Sequence, residues 1–115
     1  MRMWMIEPRK MCRSHLLGEH RELHAIYGLI IHGSNLDGYI EQNLIEINSL
    51  EQRHNEIALE MKRRHYLHTT PLTSKFHLPS KFDGHVNIKE SEKELYKRCP
   101  ECKKLIQKNN YASPR

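Results

Sequence analysis

SHLLGEHRELHAIYGLIIH, residues 14–32, reads as one long helix. Leu16, Leu23, Tyr27 and Ile30 recur at helical spacing. Ser14 is a candidate N-cap, and Gly33-Ser34-Asn35 supplies a stop, so helix 1 is expected over about 14–32. A second stripe holds His15, Glu19, Glu22, Ile26 and Leu29. It begins polar and ends apolar, so its N-terminal part should border the core instead of filling it. His15, Glu19 and Glu22 stand at i, i+4 and i+7 and share one face, with Arg21 on the adjacent flank.

Working outward, Met1–Ile6 is apolar apart from Arg2, and such a terminus tends to be tied down against a core. Pro8 after Glu7 can open a helical turn. Residues 36–48 suit either a short helix or an irregular connection. Ser49-Leu50-Glu51-Gln52 reads as a capping box opening helix 2, about 49–66, with Leu50, Ile57 and Met61 as its seam. Lys62, Arg63 and Arg64 lie at its C-terminal end, favourable for the helix dipole. Residues 68–86 hold two prolines and a glycine and read as a long ordered loop. Helix 3 follows over about 87–98, where Pro100 ends or restarts it. Residues 108–115 read as a frayed tail. The expectation is all-α: one compact domain, 1–115, with three main helices and a long loop before the third.

Composition narrows the function. No apolar run approaches the ~18–20 residues of a membrane span, and Met1–Ile6 is too short for a signal-peptide core. A cytoplasmic protein of a prokaryote or of a virus-infected host cell is expected, without membrane partners and as a monomer. Three cysteines, an odd number, argue against a disulfide framework. The net charge is +5, unevenly spread: residues 1–24 carry five Lys/Arg and three Glu, 25–60 one Arg and six acids, and 61–115 thirteen Lys/Arg and five acids. Basic ends that converge would make a face for a polyanion such as DNA; a plain solvated surface is the alternative.

Some residues suggest specific chemistry. His20 and His24 have the i, i+4 spacing of helical zinc ligands, but the pattern is not H-E-x-x-H and no third ligand is obvious. They read as incidental. Cys99-Pro100-Glu101-Cys102 is half of a zinc site, with Cys12, His65, His68, His77 or His85 as candidate partners; the alternatives are two small residues packing helix 3 and redox chemistry, for which there is no βαβ pattern. No catalytic cofactor is expected. An α-amine, with a pKa of about 7.7–8 against about 10.4 for lysine, is a ready nucleophile for Schiff-base chemistry when ordered beside a carboxylate.

The short apolar N-terminus with Arg2, followed by H-L-x-x-E-x-R-E-L at His15, Leu16, Glu19, Arg21, Glu22 and Leu23, resembles the pyrimidine-dimer DNA glycosylase/AP lyase family of the phage endonuclease V type. R-x-x-E-I-x-x-E-M-x-R-R-x-Y, Arg53 to Tyr66, resembles that family's second helix more loosely. The resemblance implies a DNA repair enzyme acting on double-stranded DNA with pyrimidine dimers or abasic sites. It implies that the Met1 amine attacks C1′ and that Glu22 is the catalytic carboxylate. Arg2 and Arg21 match family arginines that grip DNA, and His15 matches with a supporting role. Lys62, Arg63 and Arg64 are further candidates for DNA contact. Two departures from the family's founding type are visible: a shorter connection between helices 1 and 2, and a tail whose only aromatic is Tyr111. The alternative is a non-catalytic small basic DNA-binding or zinc-stabilised accessory protein.

Overall fold

The computed structural model describes residues 2–66 and 84–111, with side chains through 109. Among them there are five α-helices and no strands: α1 Arg13–Ile31, α2 Asp37–Glu41, α3 Leu50–Arg63, α4 Ile88–Arg98 and α5 Pro100–Tyr111. Single 3-10 turns, Pro8–Lys10 and Ile47–Ser49, precede α1 and α3. The all-α expectation holds. The helix inventory differs from three main helices, because Pro100 restarts the chain. Cys99 is extended at φ −126° and ψ 107°, and Pro100 occupies the first helical position, where its missing N–H costs nothing. The helix that follows runs through residues expected to fray, 108–111.

Helix ends are written locally. Gly33 adopts φ 72° after α1; its N–H bonds to the Ile30 carbonyl at 3.0 Å, and the Ser34 N–H to that of Leu29 at 2.9 Å. This double closure satisfies the last carbonyls. Asn43 at φ 57° ends α2 in the same way, and His65 at φ 65° ends α3. Two start signals differ from expectation. Cys12, not Ser14, caps α1, which therefore begins at Arg13. The Ser49–Gln52 capping box does not form: the Ser49 hydroxyl donates instead to Glu46, and Gln52 turns to Glu56 at 3.4 Å. Glu46 also accepts the Val86 N–H at 3.0 Å, so it tethers the chain entering α4. The long loop expected over 68–86 lies mostly outside the described residues. At its end Gly84 passes so close to the Ile45 carbonyl that a Cβ there would collide with it.

The N-terminal segment lies in the core. Met3, Trp4 and Ile6 are buried with Leu16, Leu23 and Ile26 of α1 and Leu50, Ile57 and Met61 of α3. The Met3 N–H donates to the Leu44 carbonyl at 2.7 Å. Met5 sits at φ 62°, a strained value for an unbranched non-glycine residue, between its buried neighbours Trp4 and Ile6.

A buried ion pair fastens this arrangement. Arg53 of α3 is 1% exposed. Its Nε donates to Glu19 Oε2 at 2.6 Å and its Nη2 to Oε1 at 3.0 Å, a bidentate fork, while Nη1 donates to the Ile6 carbonyl at 2.6 Å. Glu19 thus belongs to the core and clamps α1, α3 and the N-terminal segment together. Arg64 makes a second clamp, donating to the carbonyls of Pro8 at 3.1 Å and Met11 at 2.8 Å.

Candidate active site and a cysteine–histidine cluster

Glu22 lies on α1 one turn beyond the buried Glu19, half-buried, with Arg21 exposed beside it. Its carboxylate accepts the backbone N–H of Arg2, the first described residue. Met1 itself lies outside the described residues. The side chain of Arg2 turns away from Glu22: Nη1 pairs with Glu94 of α4, and the guanidinium stacks 3.9 Å over the Trp4 ring. An open cleft of about 740 Å³ beside Arg2 is lined along α4 by Glu92, Glu94, Tyr96 and Lys97.

The two ends of the chain touch at α4 through opposite charges, Lys10 pairing with Glu92 at 2.8 Å. Several candidate DNA contacts are engaged within the protein. Arg64 binds Glu60 at 2.7 Å besides its two carbonyls, and Arg63, more exposed, binds Glu60 at 2.5 Å. Burial pulls the Glu60 carboxyl up, but hydrogen bonds from Arg63 and Arg64 and their charges outweigh it and hold the carboxyl below its ordinary range. Lys62 is exposed beside a shallow cleft with Leu59 and Tyr66.

His15 sits away from Glu22, among the thiols. Its Nδ1 lies 3.2 Å from Cys12 Sγ and 3.5 Å from Cys102 Sγ, while the Sγ atoms of Cys12 and Cys99 are 3.8 Å apart. The four ligand atoms fall within 4.8 Å of one another. Burial, helped by the positive charge of Arg98, holds His15 below the usual histidine range. Burial, and to a lesser degree the neighbouring Cys12 and Cys99, push the Cys102 thiol up to about 12. Burial opposes ionisation of Cys99 as well, but hydrogen bonds from the Cys102 N–H and from the other two thiols outweigh it, and that thiol is lowered. Trp4 connects this cluster to the N-terminus: its ring meets His15 edge-on at 5.7 Å and carries Arg2 on its face.

A second cluster joins α1 to α3. His20 and His24 are met by His54, which is 1% exposed, with His24 Nε2 and His54 Nε2 3.2 Å apart. Ring centroids are 4.7–5.1 Å apart, and the three imidazoles present their ligand atoms within 4.8 Å. The third imidazole that spacing on helix 1 left open comes from a different helix, where no local pattern could announce it. His15 is different. Cys12-Arg13-Ser14-His15 is a C-x-x-H matching the spacing of Cys99–Cys102, a signal legible in the sequence.

Among the described residues, no helix is long and apolar enough to cross a membrane. No curated protein and no solved structure matches the chain. The profile of the pyrimidine dimer DNA glycosylase family matches residues 1–74, which span the N-terminal segment, α1, α2 and α3 and therefore include both Glu22 and the Arg53–Glu19 clamp. The chain belongs to the pyrimidine dimer DNA glycosylase family.

Proposed function

We propose that the protein is a pyrimidine-dimer DNA glycosylase with AP lyase activity, in which the α-amine of Met1 is the nucleophile and Glu22 the catalytic carboxylate. The observation that carries this reading is the hydrogen bond from the Arg2 N–H to the Glu22 carboxylate. The α-amine of residue 1 is three bonds from that nitrogen, which keeps it within reach of the same carboxylate. In this reading Glu22 accepts a proton as the amine attacks C1′, and the base departs with the glycosidic electron pair. Glu22 then returns that proton to O4′ as the sugar-ring C–O bond breaks, and the regenerated carboxylate electrostatically stabilises the iminium left between protein and sugar. Abstraction of a proton from C2′ then expels the 3′ phosphate by β-elimination.

The substrate is double-stranded DNA carrying a pyrimidine dimer or an abasic site, engaged by a monomer in the cytoplasm. Access to C1′ requires a kinked duplex or a flipped nucleotide, at a cost of a few kcal/mol. Arg21 contributes a phosphate-binding fork, joined by Lys62 and Arg63. Arg2 contributes by exchanging Glu94 for phosphate, while His15 and Arg64 act from within the protein by supporting Trp4 and the Pro8–Met11 turn. None of these steps uses a metal; zinc at Cys99 and Cys102 has a structural part.

Borohydride trapping tests the proposal. Incubation with abasic-site duplex and reduction should give a covalent protein–DNA adduct, lost when the N-terminus is acetylated. Failure of the unblocked protein to form an adduct overturns the lyase mechanism. Parallel assays on dimer-containing and abasic duplexes measure lesion preference.

A further inference from the structure

We propose that Cys12, His15, Cys99 and Cys102 bind one zinc ion tetrahedrally, fastening the α4–α5 corner to the start of α1. The ligands come as two pairs of equal spacing, C-x-x-H at 12–15 and C-x-x-C at 99–102. Each pair straddles a helix start: Cys12 caps α1, and Cys99 directly precedes α5. The pairs are far apart in sequence and close in space.

The distances fit the ion. Zn–S of about 2.3 Å and Zn–N of about 2.0–2.1 Å at tetrahedral angles require S···S edges of about 3.8 Å and S···N edges of about 3.5 Å. The observed edges are 3.8 Å for Cys12–Cys99, 3.2 Å for Cys12–His15 and 3.5 Å for Cys102–His15. A disulfide needs sulfurs about 2.05 Å apart and leaves the third thiol over. Backbone amides already point at the sulfurs: the Cys12 N–H donates to Cys102 Sγ at 3.3 Å and the Cys102 N–H to Cys99 Sγ at 3.4 Å. Such N–H···S bonds and two helix N-termini favour thiolates. On binding, each thiol gives its proton to solvent, and three thiolates with neutral His15 leave the zinc centre with one net negative charge. The Arg98 charge that acts on His15 offsets it.

The site has a consequence for the N-terminus. His15 held by zinc presents its ring to Trp4, which carries the guanidinium of Arg2. The ion therefore stiffens the segment leading to Glu22 without touching the reacting atoms. Two of its ligands lie beyond residue 74, where the family match ends.

The test uses the full chain purified without chelator. Metal analysis should find one zinc per chain. Exchange for cobalt(II) should give tetrahedral d–d bands together with a thiolate-to-cobalt charge-transfer band. In the zinc form the thiols should resist a disulfide reagent until a strong chelator is added. Cys102→Ser should weaken retention at least tenfold. Should that variant fail to fold, His15→Cys, which keeps four ligands, should still bind cobalt with a stronger charge-transfer band. A folded chain that holds no metal overturns the proposal. So does cobalt bound without the thiolate band, which would assign it to His20, His24 and His54, and so does recovery of the cysteines as a disulfide. None of these readouts depends on DNA cleavage, so the zinc site and the lyase mechanism stand or fall separately.

Discussion

Replacing Arg53 with methionine removes the charge at the centre of the clamp while roughly keeping its volume. The wild-type guanidinium is 1% exposed, and the Glu19 side chain it holds is 0% exposed. The substitution strands a buried carboxylate, for which the loss is about 3–5 kcal/mol. It also strips the Ile6 carbonyl of its donor, worth roughly 1–3 kcal/mol more when no water reaches it. The two losses overlap, and a total of about 4–6 kcal/mol is expected, against a whole stability of about 5–15 kcal/mol for a domain. At roughly 4–6 °C per kcal/mol, the midpoint should fall by about 16–36 °C. Urea and thermal unfolding followed by circular dichroism measure this directly. The decisive comparison is the double variant Arg53→Met with Glu19→Leu. An apolar pair carries no desolvation penalty, so much of the loss should return, to within about 2 kcal/mol of wild type. A loss below about 1 kcal/mol in Arg53→Met, or a double variant as unstable as the two single losses added, would refute the clamp.

Glu22→Gln should leave the fold and DNA binding nearly intact while lowering strand cleavage by about 10²–10⁴-fold, read from single-turnover kinetics beside a binding titration. Cleavage at the wild-type rate would remove Glu22 from the mechanism. Glu60 gives a pH signature, since its folded carboxyl is held below the ordinary value by Arg63 and Arg64. Its contribution is present above the unfolded value of about 4.3 and fades as pH falls through the lower folded value. Glu60→Gln should therefore be less stable than wild type at neutral pH, with the gap closing in acid; a gap independent of pH across denaturation curves contradicts this. Gly84→Ala should cost about 1–3 kcal/mol, because its Cβ meets a backbone carbonyl that can yield only by moving the chain. An unchanged midpoint would show that the segment entering α4 shifts freely.

Much of the fold is legible along the chain because its determinants are local. Leu16 and Leu23 meet the core because their spacing puts them on one face of α1, and Ile26 joins them from the apolar end of the neighbouring stripe. Gly33 stops that helix because it takes φ 72° without strain. The apolar N-terminus is buried at Met3, Trp4 and Ile6, as its composition requires. Pro100 marks a boundary, but a proline is compatible with either an end or a fresh start, and only the packing of Cys102 and Ile106 into the core makes it a start. Ser49 and Gln52 carry the pattern of a capping box, yet the carboxylate of Glu46 is a stronger acceptor within reach and takes the hydroxyl.

The helical class, the anchored N-terminus and, through H-L-x-x-E-x-R-E-L, the family to which the chain belongs are all readable from the residues. The sequence also carries both halves of the cysteine–histidine cluster as separate short motifs. Which charged groups of α1 are internal and which are available depends on the packing of distant segments. Glu19 and Glu22 look equivalent on the helical wheel, but α3 brings Arg53 to the first and the N-terminal segment brings the Arg2 amide to the second. The same packing decides that His54 meets His20 and His24, and that Cys12 and His15 meet Cys99 and Cys102. The reason is range: capping and periodicity act over one or two helical turns, whereas these partners lie 20 to 90 residues apart and meet only through the packing of whole segments.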